Sequence, residues 1–325
     1  MPDVTDPMVP QITEVPSAVQ SVAVLPDAPQ TTPAGEPQAV ARTPWQIAWK
    51  RFTRHKFAMI SAVVLAILVV VTLVAPLFYP HFLTKQTPNL TRALQGPNSK
   101  HLFGTNNLGQ DMLARTIFGG RISLMIGISV AFFSAVLGTL VGAVAGYYGK
   151  WIDQLLMRVT DLFLAIPFLV VLIIAVSLLS GSVFDIVLIL SLFFWMPNAR
   201  IVRGVVLSLK EKEYVEAARS LGASNRRIIV SDIIPNALGP IIVISTLGVA
   251  AAILAESALS FLGFGVERQT PTWGNLLSIA RPFQTLAPWT VWFPGLFILI
   301  TVLAVNFIGD GLRDALDPHQ AIREG

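Results

Sequence analysis

The sequence predicts an all-α polytopic membrane protein with six transmembrane helices and one cytoplasmic helix set between two of them. Three observations carry that expectation. Of the 325 residues, 54% are hydrophobic and 13% charged, where soluble domains carry about 25% charged residues. The apolar residues gather into uncharged runs near the roughly 20 residues needed to cross a bilayer. Between the fourth and fifth runs stands a charged island, residues 210–235, that reads as helix, glycine bend and helix.

Residues 1–44 hold nine of the 22 prolines, and five acids (Asp3, Asp6, Glu14, Asp27, Glu36) against one base, Arg42. Such a segment buries too little surface to offset chain entropy and is expected to be a disordered cytoplasmic tail. It lacks the basic start and apolar core of a signal peptide. Residues 45–56 are basic and aromatic, with Lys50, Arg51, Arg54, His55 and Lys56 running into apolar residues, the pattern of a cytoplasmic interfacial anchor. Residues 57–79 carry no charge and form the first span.

The next spans are expected over residues 122–147, 155–179, 183–199, 236–261 and 289–308. The 155–179 segment contains Arg158 and Asp161 near its start and Pro167 inside. Gly138, Gly142 and Gly146 stand four apart in the second span and allow close approach of another helix, within this chain or from a partner. Glu256 is the acid well inside the fifth span, where an exposed charge costs about 2.5–3.5 kcal/mol. It is expected either to serve a structural hydrogen-bonding role or to stand on a translocation path. With the N-terminus inside, Lys85, Arg92, Lys100, Arg115, Arg121, Arg268 and Arg281 fall outside and the other 16 of the 23 Lys and Arg fall inside, in keeping with the positive-inside rule.

In the island, Tyr214, Ala217, Ala218 and Leu221 recur at i, i+3, i+4 and i+7, one apolar stripe of a helix. Lys212 with Glu216 and Glu216 with Arg219 have the spacing of helix-supporting ion pairs. Gly222 ends that helix, and Ser224 caps a second one beginning at Asn225 and running toward Pro235.

These residues resemble the membrane-spanning permease subunits of binding-protein-dependent ABC importers. Their cytoplasmic signature is E-A-A, three residues, G, nine residues and I-x-L-P. Glu216, Ala217, Ala218, Gly222 and Pro235 stand at that spacing, with Asp232 and Ile234 in place of its isoleucine and leucine. The outer stretch H-L-F-G-T-N-N-L-G-Q-D, with Gly104, Thr105, Asn106 and Asp111, is similar to H-x-F-G-T-D-x-x-G-R-D of the C-type dipeptide and oligopeptide permeases. A-G-Y-Y-G-K-W-I-D from 145, L-A-E-S-A-L-S-F-L-G-F-G-V from 254, P-T-W-G-N from 271 and N-F-I-G-D-G-L-R-D-A-L-D-P from 306 narrow the resemblance to that subfamily.

The resemblance implies a type I ABC importer permease fold, with a 45–120 segment carrying the first span, a 121–312 core and a cytoplasmic C-terminus over 313–325. It makes the 211–222 helix the coupling helix that docks on an ATPase. Gly104, Thr105, Asn106 and Asp111 become candidates for docking an external binding protein. The implied partners are a second permease chain, two ABC ATPase subunits holding ATP and magnesium, an extracytoplasmic solute-binding protein, peptide substrate and membrane lipid, with no nucleic acid. The location is the cell membrane of a bacterium or archaeon, with both termini cytoplasmic.

Gly149-Lys150 lacks the earlier glycine and the following Ser or Thr of a phosphate loop. The chain has no cysteine, and His55, His81, His101 and His319 lack metal-ligand spacing. Neither an enzyme, a nucleotide site nor a metal site is expected here. A peptide needs a wetted passage, because each unpaired amide costs about 2–7 kcal/mol to bury in an apolar medium. Import of a nickel chelate, glutathione or another small solute by the same machinery is the alternative. A secondary transporter or channel is more distant, since the sequence has no repeated halves, and a scaffold leaves the E-A-A spacing unexplained.

Overall fold

The computed structural model describes residues 44–78, 87–179, 181–267 and 270–317. Residues 1–43 of the expected disordered tail and the last eight residues lie outside them, whereas Pro44, the last residue of that expected tail, begins a helix. The described residues are helical apart from loops and one isolated antiparallel bridge, Thr105 to Asp111. In chain order the helices are α1 (Pro44–Arg54), α2 (Lys56–Phe78), α3 (Met112–Tyr148), α4 (Lys150–Ala165), α5 (Phe168–Ser177), α6 (Val183–Leu209), α7 (Glu213–Ser220), α8 (Asn225–Phe261), α9 (Trp273–Ala280) and α10 (Trp289–Leu316).

Among the described residues, α2, α3, α6, α8 and α10 are each long and apolar enough to cross a membrane. The span expected over 155–179 is not one straight helix. It is the pair α4 and α5, bent by 85°, and the total is six crossings only if that pair counts as one. Ile166 is extended (φ −84°, ψ 137°) because the ring of Pro167 disfavours the helical region for the residue before it. At 1.5 Å per residue the halves reach about 24 Å and 15 Å, short of a roughly 30 Å hydrocarbon layer.

The second, fourth, fifth and sixth spans run past their expected ends. Asp111 caps α3, its Oδ1 accepting from the Ala114 amide at 3.0 Å, so that helix starts ten residues before 122. Ser182 and Asp185 form a capping box that opens α6. The short helix expected to begin at Asn225 continues unbroken into the fifth span. Residues Ile228–Ile233 widen into a π turn just before Pro235, which has no amide hydrogen to donate.

The central contact is the seam between α3 and α6. A Cβ at Gly138 would stand 2.5 Å from the Cβ of Asn198, one at Gly142 2.5 Å from the Ala199 carbonyl oxygen, and one at Gly146 2.9 Å from the Cβ of Val206. The glycine row therefore serves packing within this chain, and that face is already filled. Toward the C-terminal ends of α3 and α6 the seam passes into a cluster of Ala143, Tyr147, Val202, Val206, Val215, Ile228 and Ile233.

Replacing Gly142 by alanine forces the helices apart against backbone and should lower the stability of the solubilised chain by about 1–3 kcal/mol. Gly204, on the facing helix α6 and with no atom within 4 Å of its Cβ position, is the control. Thermal unfolding in detergent should separate the two, with Gly204→Ala unchanged.

Candidate functional site

The island has the helix, glycine bend and helix that the spacing predicts, but its buried side and its expected ion pairs differ. Gly222 (φ +80°) ends α7 in a doubly bonded bend: its amide donates to the Arg219 carbonyl and the Ala223 amide to that of Ala218, each at 3.0 Å. Ser224 Oγ accepts from the Arg227 amide and opens α8. The residue that anchors α7 is Val215, fully buried in the cluster at the end of the seam, with Ala218 packed at its edge. The predicted stripe is otherwise uncovered: Tyr214 is 43% exposed, Leu221 88%, and Ala217 is exposed as well.

The expected helix-supporting ion pairs do not form. The Arg219 guanidinium lies 6.0 Å from the centre of the Tyr147 ring, and the Tyr147 hydroxyl donates to Asn225 Oδ1 at 2.9 Å. The end of α3 thus holds both sides of the glycine bend. Desolvation, followed by the Asp232 carboxylate, raises the Tyr214 hydroxyl above the usual tyrosine range. Glu216 and Pro235 are exposed.

On the other side of the molecule, the loop before α3 is a self-contained knot. His101 Nδ1 meets Asp111 Oδ2 at 2.8 Å. Asn106 Nδ2 donates to Gln110 Oε1 at 2.8 Å, and Arg115 Nη1 to the same oxygen at 3.0 Å. The Thr105 carbonyl accepts from Trp289 Nε1 at 3.1 Å. Gly104, Thr105, Asn106 and Asp111 are all buried, so their side chains hold this loop together and present nothing to an outside protein. What the same loop does expose is Leu90, Leu102 and Leu108.

Glu256 is fully buried. Its carboxylate accepts from Ser260 Oγ at 2.7 Å and Ser257 Oγ at 3.5 Å, with the hydroxyls of Thr272 and Ser123 on the same group. Thr272 caps α9 through the Asn275 amide, and Trp273, fully buried, bonds from its amide to Ser123 Oγ (3.1 Å) and from Nε1 to the Thr116 carbonyl (2.9 Å). Gly274 lets α9 touch Ser257, where a Cβ would stand 2.5 Å from backbone. The roles of Thr272 and Trp273 are not legible in the sequence, although the P-T-W-G-N stretch contains both.

A charged face runs along α4. Arg203 Nη2 donates to Asp153 Oδ2 at 2.6 Å, and Arg200 pairs with Asp161, joining α4 to α6. Asp153, Gln154, Arg158, Asp161 and Arg203 line an open cavity of about 580 Å³. Lipid is a poor neighbour for such a face.

Comparison with known proteins gives two family matches. Residues 138–322 match the family described as binding-protein-dependent transport system inner membrane component, and residues 43–97 match the N-terminal TM domain of oligopeptide transport permease C. The oligopeptide transport system permease protein OppC of Haemophilus influenzae is 44% identical over 283 residues, 87% of this chain and 91% of that protein. The dipeptide transport system permease protein DppC of Alkalihalophilus pseudofirmus is 40% identical over 287 residues, 88% and 94% of the two chains. The glutathione transport system permease protein GsiD of Escherichia coli is 39% identical over 277 residues, 85% and 91%. Among solved structures, an inward-facing MetNI methionine ABC transporter chain aligns with TM-score 0.54 at 18% identity, covering 63% of this chain and 98% of that one, a likeness of fold.

Two substitutions on α7 should part company. Val215→Ala removes buried contacts and should cost about 1–3 kcal/mol in chemical unfolding, while Leu221→Ser should stay within about 0.5 kcal/mol of the parent. For Glu256, truncation to alanine strands the surrounding hydroxyls and should lower the melting stability by about 1–3 kcal/mol, with Glu256→Gln recovering most of the loss.

Proposed function

The chain belongs to the family of binding-protein-dependent transport system inner membrane components, and from that premise we propose that it is a permease half of an ATP-driven importer of dipeptides and oligopeptides. It works beside a second permease chain, above two ATPase subunits that hold ATP and magnesium, and beneath an extracytoplasmic solute-binding protein. Both termini and α7 face the cytoplasm, the arrangement that the Lys and Arg distribution favours.

The observation that carries this reading is the split of α7 into an anchored and an uncovered side. Val215 fixes the helix to the cluster at the end of the seam, while Tyr214, Ala217 and Leu221 present an apolar surface to something outside the chain. That surface receives the ATPase. Because α7 leads out of α6 and the bend at Gly222 leads into α8, a displacement of α7 pulls on two spans at once. ATP-driven closure of the ATPases then switches the cavity between inward and outward openings.

The charged face of α4 borders the wetted passage that a zwitterionic substrate requires. Its ion pairs to α6 leave Arg158 and the cavity mouth to meet polar groups in transit. Glu256, sealed among hydroxyls, keeps α8 and α9 in register and takes no part in contact with substrate. External docking falls to the exposed residues of the outer loop and not to its buried core. The glutathione permease among the relatives supports a second substrate reading, and glutathione is itself a short peptide.

Gly222 tests the lever. No atom lies within 4 Å of its Cβ position, so a side chain there meets a conformational penalty and no clash. A valine, strained at positive φ by about 1–2 kcal/mol, should abolish peptide uptake by the assembled importer while membrane insertion persists. Asparagine, which tolerates that conformation, should keep most of it. Equal uptake by both variants and the parent would sink the lever.

A further inference from the structure

Helix α1 has an apolar face that the protein covers only in part. Ala48 and Phe52 are buried, Phe52 in a cluster with Ala58 and Ala315, and a Cβ on Gly311 would stand 3.4 Å from the Phe52 ring. Trp45 and Trp49 lie on the same stripe at helical spacing, three residues before each of the two buried ones, yet are 59% and 68% exposed. Trp49 stacks on Phe52 with ring centres 6.2 Å apart, so the covered and uncovered apolar surfaces are continuous.

The opposite flank is cationic. Arg51 is engaged, donating to the Asp317 carbonyl at 3.3 Å, and His55 stands 3.8 Å from Asp314. Lys50, Arg54 and Lys56 are exposed and have no carboxylate partner among the described residues. The first span starts at Lys56, so α1 sits at the bilayer boundary and not out in solution. Exposed tryptophans flanked by unpaired cations at that depth match a headgroup layer on one side and acyl chains on the other.

We propose that α1 is a binding site for anionic phospholipid. Trp45 and Trp49 seat at the boundary between headgroups and acyl chains, and Lys50, Arg54 and Lys56 hold lipid phosphates. This goes beyond anchoring, because it requires selection by headgroup charge. It also ties lipid composition to the inner end of α10, on which Phe52 rests.

The test uses the full chain in phosphatidylcholine nanodiscs that contain an equal small mole fraction of brominated phosphatidylglycerol or brominated phosphatidylcholine. The chain has seven tryptophans, so the α1 signal is the difference between the parent and a Trp45→Phe, Trp49→Phe double variant. Brominated phosphatidylglycerol should quench that signal the more strongly. Changing Lys50, Arg54 and Lys56 to glutamine should erase the preference, at about fivefold in local lipid enrichment per charge. Equal quenching by the two lipids in the parent chain would overturn headgroup selection. No quenching by either would overturn the site, leaving the face to another protein chain or to water.

Discussion

Three glycines let α3 and α6 meet backbone to backbone, and the end of the molecule that carries α7 hangs from that seam. Two long helices in an apolar solvent gain little from burying leucine, since lipid is as apolar as the side chain; close contact comes from small residues. Here the contact continues from Gly138 to Gly146 and then into Tyr147, which reaches both sides of the bend at Gly222. The position of α7 is therefore set by the end of the seam. A helix of eight residues would be marginal alone; fixed by Val215 and by Tyr147 it becomes a rigid handle.

The same economy appears at the opposite end. A carboxylate buried in a span would be a liability, yet Glu256 collects four hydroxyls from α3, α8 and the cap of α9. The arrangement turns a costly group into a fastener between three helices. The loop before α3 works alike: His101, Asn106, Gln110, Asp111 and Arg115 bond to one another and so cap the start of α3 without a sheet. The polar residues at that end are spent on architecture, whereas the charged face of α4 and the apolar face of α7 remain open.

Much of this was legible in the sequence, for identifiable reasons. Hydrophobic runs located the five straight spans because length and lack of charge are local properties. Gly222 and Ser224 declared their roles because only certain residues suit a left-handed bend or a helix start. The 85° bend at Pro167 is not legible in hydropathy because hydropathy has no direction: the proline is visible inside the run, but the extended conformation it imposes on Ile166 leaves no mark there. The stripe on α7 was located correctly, but periodicity does not say whether its partner lies inside the chain, and Val215 took the buried position. Gly104, Thr105, Asn106 and Asp111 were expected at a docking surface because they belong to a recognisable stretch. Their long-range bonds, such as that from Trp289 to Thr105, cannot be read from neighbours in sequence. Ser260, one turn from Glu256, was within reach of helical spacing; Ser123 and Thr272 were not.

The central claim is that the uncovered face of α7 meets an ATPase in the cytoplasm. Because the chain has no native cysteine, Leu221→Cys gives a single reporter on that face. In membranes containing the assembled importer, a short bifunctional crosslinker should join position 221 to an ATPase subunit, and a membrane-impermeant maleimide should not label it in intact cells. Labelling from outside, or an assembled importer with no crosslink to an ATPase, would contradict the account.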